Sequence, residues 1–166
     1  MNGRSLAAVS LLVLSGCSGL FEMNGGYQRS FSRDEGKHGV GVNLNGGFGG
    51  HEGGMGVHAR GKFGSAINQL GVGAHGYVLA GGEFERLPFQ WAPAGFVRFG
   101  ADLVQIGAAE GHGNVGLFCP FFDVGMLISN PGISLSASAQ YDVRLSSARN
   151  DLWLGAFLGF GFAPKL

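Results

Sequence analysis

At 166 residues the chain has the length of one domain, and its 11 basic residues balance 11 acidic ones, which leaves no basic footprint for nucleic acid. Charged residues make up 13% of the chain and glycine fills 33 positions, roughly half and roughly three times their usual shares. A hydrophobic content of 45% excludes intrinsic disorder.

From the N-terminus, Arg4 followed by the apolar run 6–14 reads as the n- and h-regions of a secretion signal. The run is too short to cross roughly 30 Å of hydrocarbon as a helix. It ends in Leu14, Ser15, Gly16, Cys17, a tetrad that resembles the lipobox of bacterial lipoproteins. The resemblance implies that residues 1–16 are removed and that Cys17 is acylated as the mature N-terminus. With Ser18 rather than an acidic residue next, it also implies the outer membrane as destination. Each buried acyl CH₂ contributes about 0.8 kcal/mol, so several chains hold even a soluble body at a bilayer. The alternative is an ordinary cleaved signal that releases the protein into the periplasm.

Residues 17–25 read as the lipidated terminus and a linker, and 26–166 as one β domain. A strand near 26–33 has Tyr27, Arg29, Phe31 and Arg33 in one phase with mixed polarity. Clearer two-residue alternation follows, with Val40, Val42 and Leu44 against Gly41, Asn43 and Asn45, then Met55, Val57 and Ala59 against Gly56, His58 and Arg60. With turn signals at Gly49-Gly50, Asn130-Pro131-Gly132 and Ala148-Arg149-Asn150, strands are expected at 38–48, 53–63, 69–80, 94–106, 114–128, 132–145 and 151–163. In the sixth of these, Ile133 to Leu145 alternate with Ser134, Ser136, Ser138, Gln140, Asp142 and Arg144. The last sets Leu152, Leu154, Ala156, Leu158, Phe160 and Phe162 against Trp153, Gly155, Phe157, Gly159 and Gly161. About eight antiparallel strands with short connections predict an all-β, Gly-rich, up-and-down barrel without exposed edges.

Alternation leaves open which face is wet, and the polar residues argue that the apolar face points outward. The glutamates fall in expected turns or in the linker, Glu22 included. The strand polar faces hold Gly, Ser, Asn and His with Arg60, Lys62, Arg98, Asp102, Asp142 and Arg144, which suits a narrow lumen of small residues and paired charges. Arg98 and Asp102 share a face but stand roughly 13 Å apart at about 3.3 Å per residue, so their partners must come from other strands. Asp123 fits less well, because both faces of 114–128 are apolar. Over 26–163 the chain resembles small bacterial outer-membrane β-barrels, and its terminal Leu154, Ala156, Leu158, Phe160, Phe162 pattern is similar to their C-terminal aromatic signal, here followed by Ala163, Pro164, Lys165 and Leu166.

The expected function is therefore that of a cell-envelope, outer-membrane lipoprotein with a structural or binding role, without catalytic residues, cofactor or metal. Its partner is the membrane, and no protein or ligand partner is assignable. The first alternative is a tethered, soluble, lipocalin-like barrel whose aliphatic lining holds an apolar ligand. The second is a lipid-modifying barrel enzyme using His58, His75 or the serines of 134–138. Against the latter, His38, His51, His58, His75 and His112 show no ligand spacing and no nucleophile elbow is present. Cys119, among Phe118, Pro120, Phe121 and Phe122, reads as a buried, inert thiol. Pro88, Phe89, Trp91 and Pro93 in the longest connection, 81–93, read as a plug or a membrane-interface contact.

Overall fold

The computed structural model describes residues 18–31, 37–50, 53–80, 94–109, 112–129, 131–145 and 150–162. Cys17, His51, Trp91 and the 163–166 tail, each singled out above, lie outside them. The described chain forms eight strands: β1 Ser18–Ser30, β2 His38–Gly50, β3 Gly53–Gly64, β4 Ile67–Ala80, β5 Ala94–Ala109, β6 His112–Leu127, β7 Gly132–Asp142 and β8 Asp151–Phe162. Each pairs antiparallel with the next, and β8 closes on β1 from Phe21↔Phe162 to Ser30↔Trp153. The result is a closed up-and-down barrel, as the alternation predicts.

Seven strands occupy their expected places within a few residues. The exception is β1, which starts at Ser18 where a linker was expected to run to residue 25. Its alternation is complete: Leu20, Glu22, Asn24 and Gln28 are buried, while Phe21, Met23 and Tyr27 are exposed. The inward counterparts of those apolar residues include one acid and two amides, a pattern that resembles a solvated linker until the inside of the barrel is known to be polar.

The wall is inverted relative to a water-soluble barrel. Val40, Val42 and Leu44, Met55 and Val57, Ile133 and Leu135, and Leu152, Leu154, Leu158 and Phe160 are exposed. Arg60, Lys62, Arg98, Asp102, Asp123 and Asp142 are buried with relative exposures of 3% or less. This arrangement overturns the lipocalin-like expectation of an aliphatic lining.

Glycine on the inward face makes room for this content. A Cβ at Gly71 would overlap the Asp102 carboxylate, and one at Gly41 would sit 2.5 Å from a Phe157 ring carbon. At the end where β1 starts and β8 finishes, Leu20, Tyr77, Leu79, Phe96 and Leu127 form an apolar cluster inside the barrel. The lumen is thus closed there by side chains, as a barrel of eight strands permits.

One part of the wall is irregular. A β-bulge in β5, opposite Val72 and Gly73 of β4, leaves both Leu103 and Val104 facing out and returns Gln105 to the interior. Alongside, Phe118 of β6 adopts φ 53°, and Pro120 has no N–H to give a neighbouring strand. The β6–β7 ladder accordingly covers only Phe121–Leu127 against Ser134–Gln140, with a single further bridge at Gly116↔Arg144. In the gap the Val143 N–H donates to Cys119 Sγ at 3.3 Å. For this reason β7 ends at Asp142 rather than at the expected 145.

Candidate functional site

The residues of interest line the lumen between the apolar cluster and the far end of the barrel. Because a strand sends every second side chain inward, cations on β3 and β5 meet anions on β1, β6 and β7 across the interior. Nearest the cluster, Arg98 of β5 donates from Nη2 to Glu22 Oε2 of β1 at 2.5 Å and from Nε to Asp123 Oδ2 of β6 at 3.0 Å. Glu22 also accepts from Asn45 Nδ2 at 3.3 Å and from the Ser134 hydroxyl. Asp123 Oδ2 accepts a second cation, the Nη2 of Arg60, whose Nη1 reaches Ser138 Oγ at 3.2 Å. The Arg60 guanidinium lies 3.4 Å from the centroid of the Phe121 ring, a cation–π contact.

One level further, His58 Nε2 stands 2.8 Å from Asp102 Oδ1, whose other oxygen accepts from Gln140 Nε2 at 2.6 Å. The second ring nitrogen of His58 is 3.4 Å from His75 Nδ1. An Asp–His pair makes up two of the three members of a hydrolytic triad, but here the position after it is a second imidazole. Ser134 and Ser138 are engaged by Glu22 and Arg60, and Ser136 Oγ accepts from Asn24 Nδ2 at 3.3 Å. No group of three His, Cys, Asp or Glu side chains able to hold a metal occurs among the described residues.

Toward the far end, Lys62 Nζ donates to Asp142 Oδ1 at 2.5 Å, and Gln105 Nε2 donates to the same oxygen at 3.3 Å. Cys119 is buried next to them. Last comes Asp151, which takes Arg144 Nη2 at 2.5 Å and Lys37 Nζ at 3.4 Å. A cavity of ≈ 10 Å³ beside Arg60, Lys62 and Trp153 has room for about one water molecule.

All six charged residues expected on the polar face therefore enter ion pairs or charged hydrogen bonds, and Arg98 and Asp102 take separate partners as their spacing requires. Two acids at the centre of the network depart from the sequence expectation. Glu22 was placed in the linker; it is buried against Arg98. Asp123 stands on a strand whose two faces read as apolar, because the inward neighbours Phe121 and Leu127 serve as an arginine platform and as part of the apolar cluster. The missed signal is that a lone acid in register with Arg98, as Arg98↔Asp123 is, supplies the partner that Arg98 needed.

The outer face carries the remaining feature. Among the described residues Arg29 is the one charged side chain on an outward strand face. It sits one residue from the far end of β1, paired in register with His38 of β2 and Leu154 of β8. Its guanidinium lies 5.8 Å from the Phe31 ring centroid, and Tyr27 stacks on His38 at 6.4 Å.

No family model matches the chain, and no curated protein matches it in sequence. Among solved structures it is similar to that of Ail, the attachment invasion locus protein of Yersinia pestis, in complex with the heparin analogue sucrose octasulfate. The two share 16% identity at a TM-score of 0.39, over 87% of this chain and 99% of that one.

Proposed function

We propose that the protein is a cell-envelope lipoprotein whose barrel crosses the outer membrane, with a structural or binding rather than catalytic role. The observation that carries this reading is the polarity of the wall: aliphatic and aromatic side chains face out, while the buried charges are neutralised by one another. Strands of 11 to 16 residues meet or exceed the 9–11 that a tilted strand needs to cross a bilayer. With its lumen filled by the ion-pair network and stoppered by the apolar cluster, such a barrel conducts no ions. Acylation of Cys17 adds a second, independent attachment.

The two attachments separate experimentally. In the Cys17→Ser protein the barrel alone must hold the chain, so membranes washed with alkaline carbonate retain it. Release into the wash without detergent refutes the spanning barrel. Unchanged processing of that variant, with the same mature mass as the native chain apart from the Cys-to-Ser difference, refutes lipidation.

A further inference from the structure

We infer that the outward rim of β1 and β2, centred on Arg29 and His38, is a binding site for the phosphate of an anionic lipid headgroup. The inference rests on the transmembrane reading above and specifies what one point of the outer wall touches.

The physical problem is the position of Arg29. Every other charged strand residue described is turned inward or engaged at the far end, whereas Arg29 projects from a wall made of Tyr27, Val40 and Leu154. On a lipid-facing wall a cation costs about 2–4 kcal/mol at the bilayer midplane and falls to about 0–1 near the interface. Its place next to the end of β1 is where that cost is least, and long cationic side chains there extend their heads toward the interface. The aromatic rings on either side, Tyr27 and Phe31, both well exposed, mark the same level, since aromatic girdles sit at the headgroup boundary of such barrels.

The chemistry of the ligand follows from the groups present. A guanidinium supplies a planar fork of N–H donors matched to phosphate oxygens. The imidazole on the adjacent strand adds a ring nitrogen able to donate, and the Tyr27 ring packs on it at 6.4 Å. No acid on the outward faces of the described strands competes for the guanidinium. The apolar surroundings, Val40 below and Leu154 to the side, suit acyl chains. A phosphate carried by a lipid satisfies both halves of the site; a soluble phosphate satisfies one.

The test uses the full chain reconstituted in vesicles of mixed phosphatidylcholine and phosphatidylglycerol. Insertion is scored by resistance to alkaline extraction, and bound lipid by the ratio of the two lipids retained on the purified protein. The native chain is expected to enrich phosphatidylglycerol about five-fold, the attraction of one surface cation for an anionic leaflet. Arg29→Gln brings the ratio to parity with the vesicle, whereas Arg29→Lys keeps most of the enrichment. An inserted Arg29→Gln chain that enriches phosphatidylglycerol as strongly as the native one overturns the headgroup site alone. A native chain that washes out of the vesicles overturns the site together with the spanning barrel.

Discussion

The inner and outer walls of this barrel are made by the same strands, residue by residue, and obey opposite rules. Inward, the buried charges find partners on other strands, as when Arg98 joins Glu22 of β1 to Asp123 of β6. Outward, side chains such as Leu44, Val57 and Leu158 are exposed and make no polar contact. The inner wall is specified by pairwise chemistry and the outer wall only by its solvent, so mutations should be costly inside according to which partner is stranded and costly outside according to depth.

The largest effect is expected where one cation serves two acids. Arg98→Met strands Glu22 and leaves Asp123 to Arg60 alone, and removing one partner of a buried pair costs about 3–5 kcal/mol. Urea unfolding of the chain folded in lipid vesicles measures it. A loss below about 1 kcal/mol, the scale of an exposed pair, would mean that the inner wall is wet and the contrast with the outer wall false.

The outer wall is tested by depth. Leu44 lies midway along β2 and Val40 near its far end. In a bilayer, Leu44→Arg is expected to cost about 2–4 kcal/mol and Val40→Arg about 0–1. If the outer wall instead faces water, both substitutions are close to neutral in the same unfolding measurement, and the inverted polarity has another cause.

How much of this contrast the sequence displays depends on the wall. Two-residue alternation in β2, β7 and β8 is a purely local signal, and it locates strands and faces directly. The choice of an outward apolar face was legible as well, because Arg60, Lys62 and Arg98 keep company with glycine and serine rather than with glutamate. The pairing was not legible, since Lys62 and Asp142 stand 80 residues apart and nothing local to either names the other. Glu22 escaped for a related reason: an acid near the N-terminus looks solvated until Arg98 is seen beside it. The pause in the β6–β7 ladder was also hidden, although Pro120 in the middle of a strand is a breaker that sequence alone displays.

Between these extremes stands a substitution that adds one methyl group to the inner wall. A side chain at Gly71 would overlap the Asp102 carboxylate, which is held by His58 and Gln140. Gly71→Ala is therefore expected to cost about 1–3 kcal/mol, the usual penalty of overpacking, and to disturb the imidazole signals of His58 and His75 in an NMR spectrum. The companion change Gly71→Ala with Asp102→Ser frees the space and should recover the backbone packing while leaving His58 without its acid. If Gly71→Ala alone is silent in both stability and spectrum, Asp102 is not fixed where it lies and the glycine has no spatial role.

The smallest expected effect asks whether the interior charges stabilise the barrel at all. Lys62→Met alone leaves Asp142 with only the Gln105 amide, and Asp142→Leu alone leaves Lys62 buried against the Trp153 ring at 5.1 Å. Each single change should cost about 3 kcal/mol, less than Arg98→Met because one pair rather than two is disturbed. The double change removes both charges, and apolar replacement of a buried pair is commonly neutral or better, so its net effect is expected to lie near zero. Such a result would make Lys62–Asp142 a device of specificity: a charge that fixes which strands face each other across the lumen and keeps the inner wall from exchanging places with the outer one. A double variant as unstable as either single one would instead mean that the pair supplies net stability, and that the inner wall differs from the outer in strength as well as in selectivity.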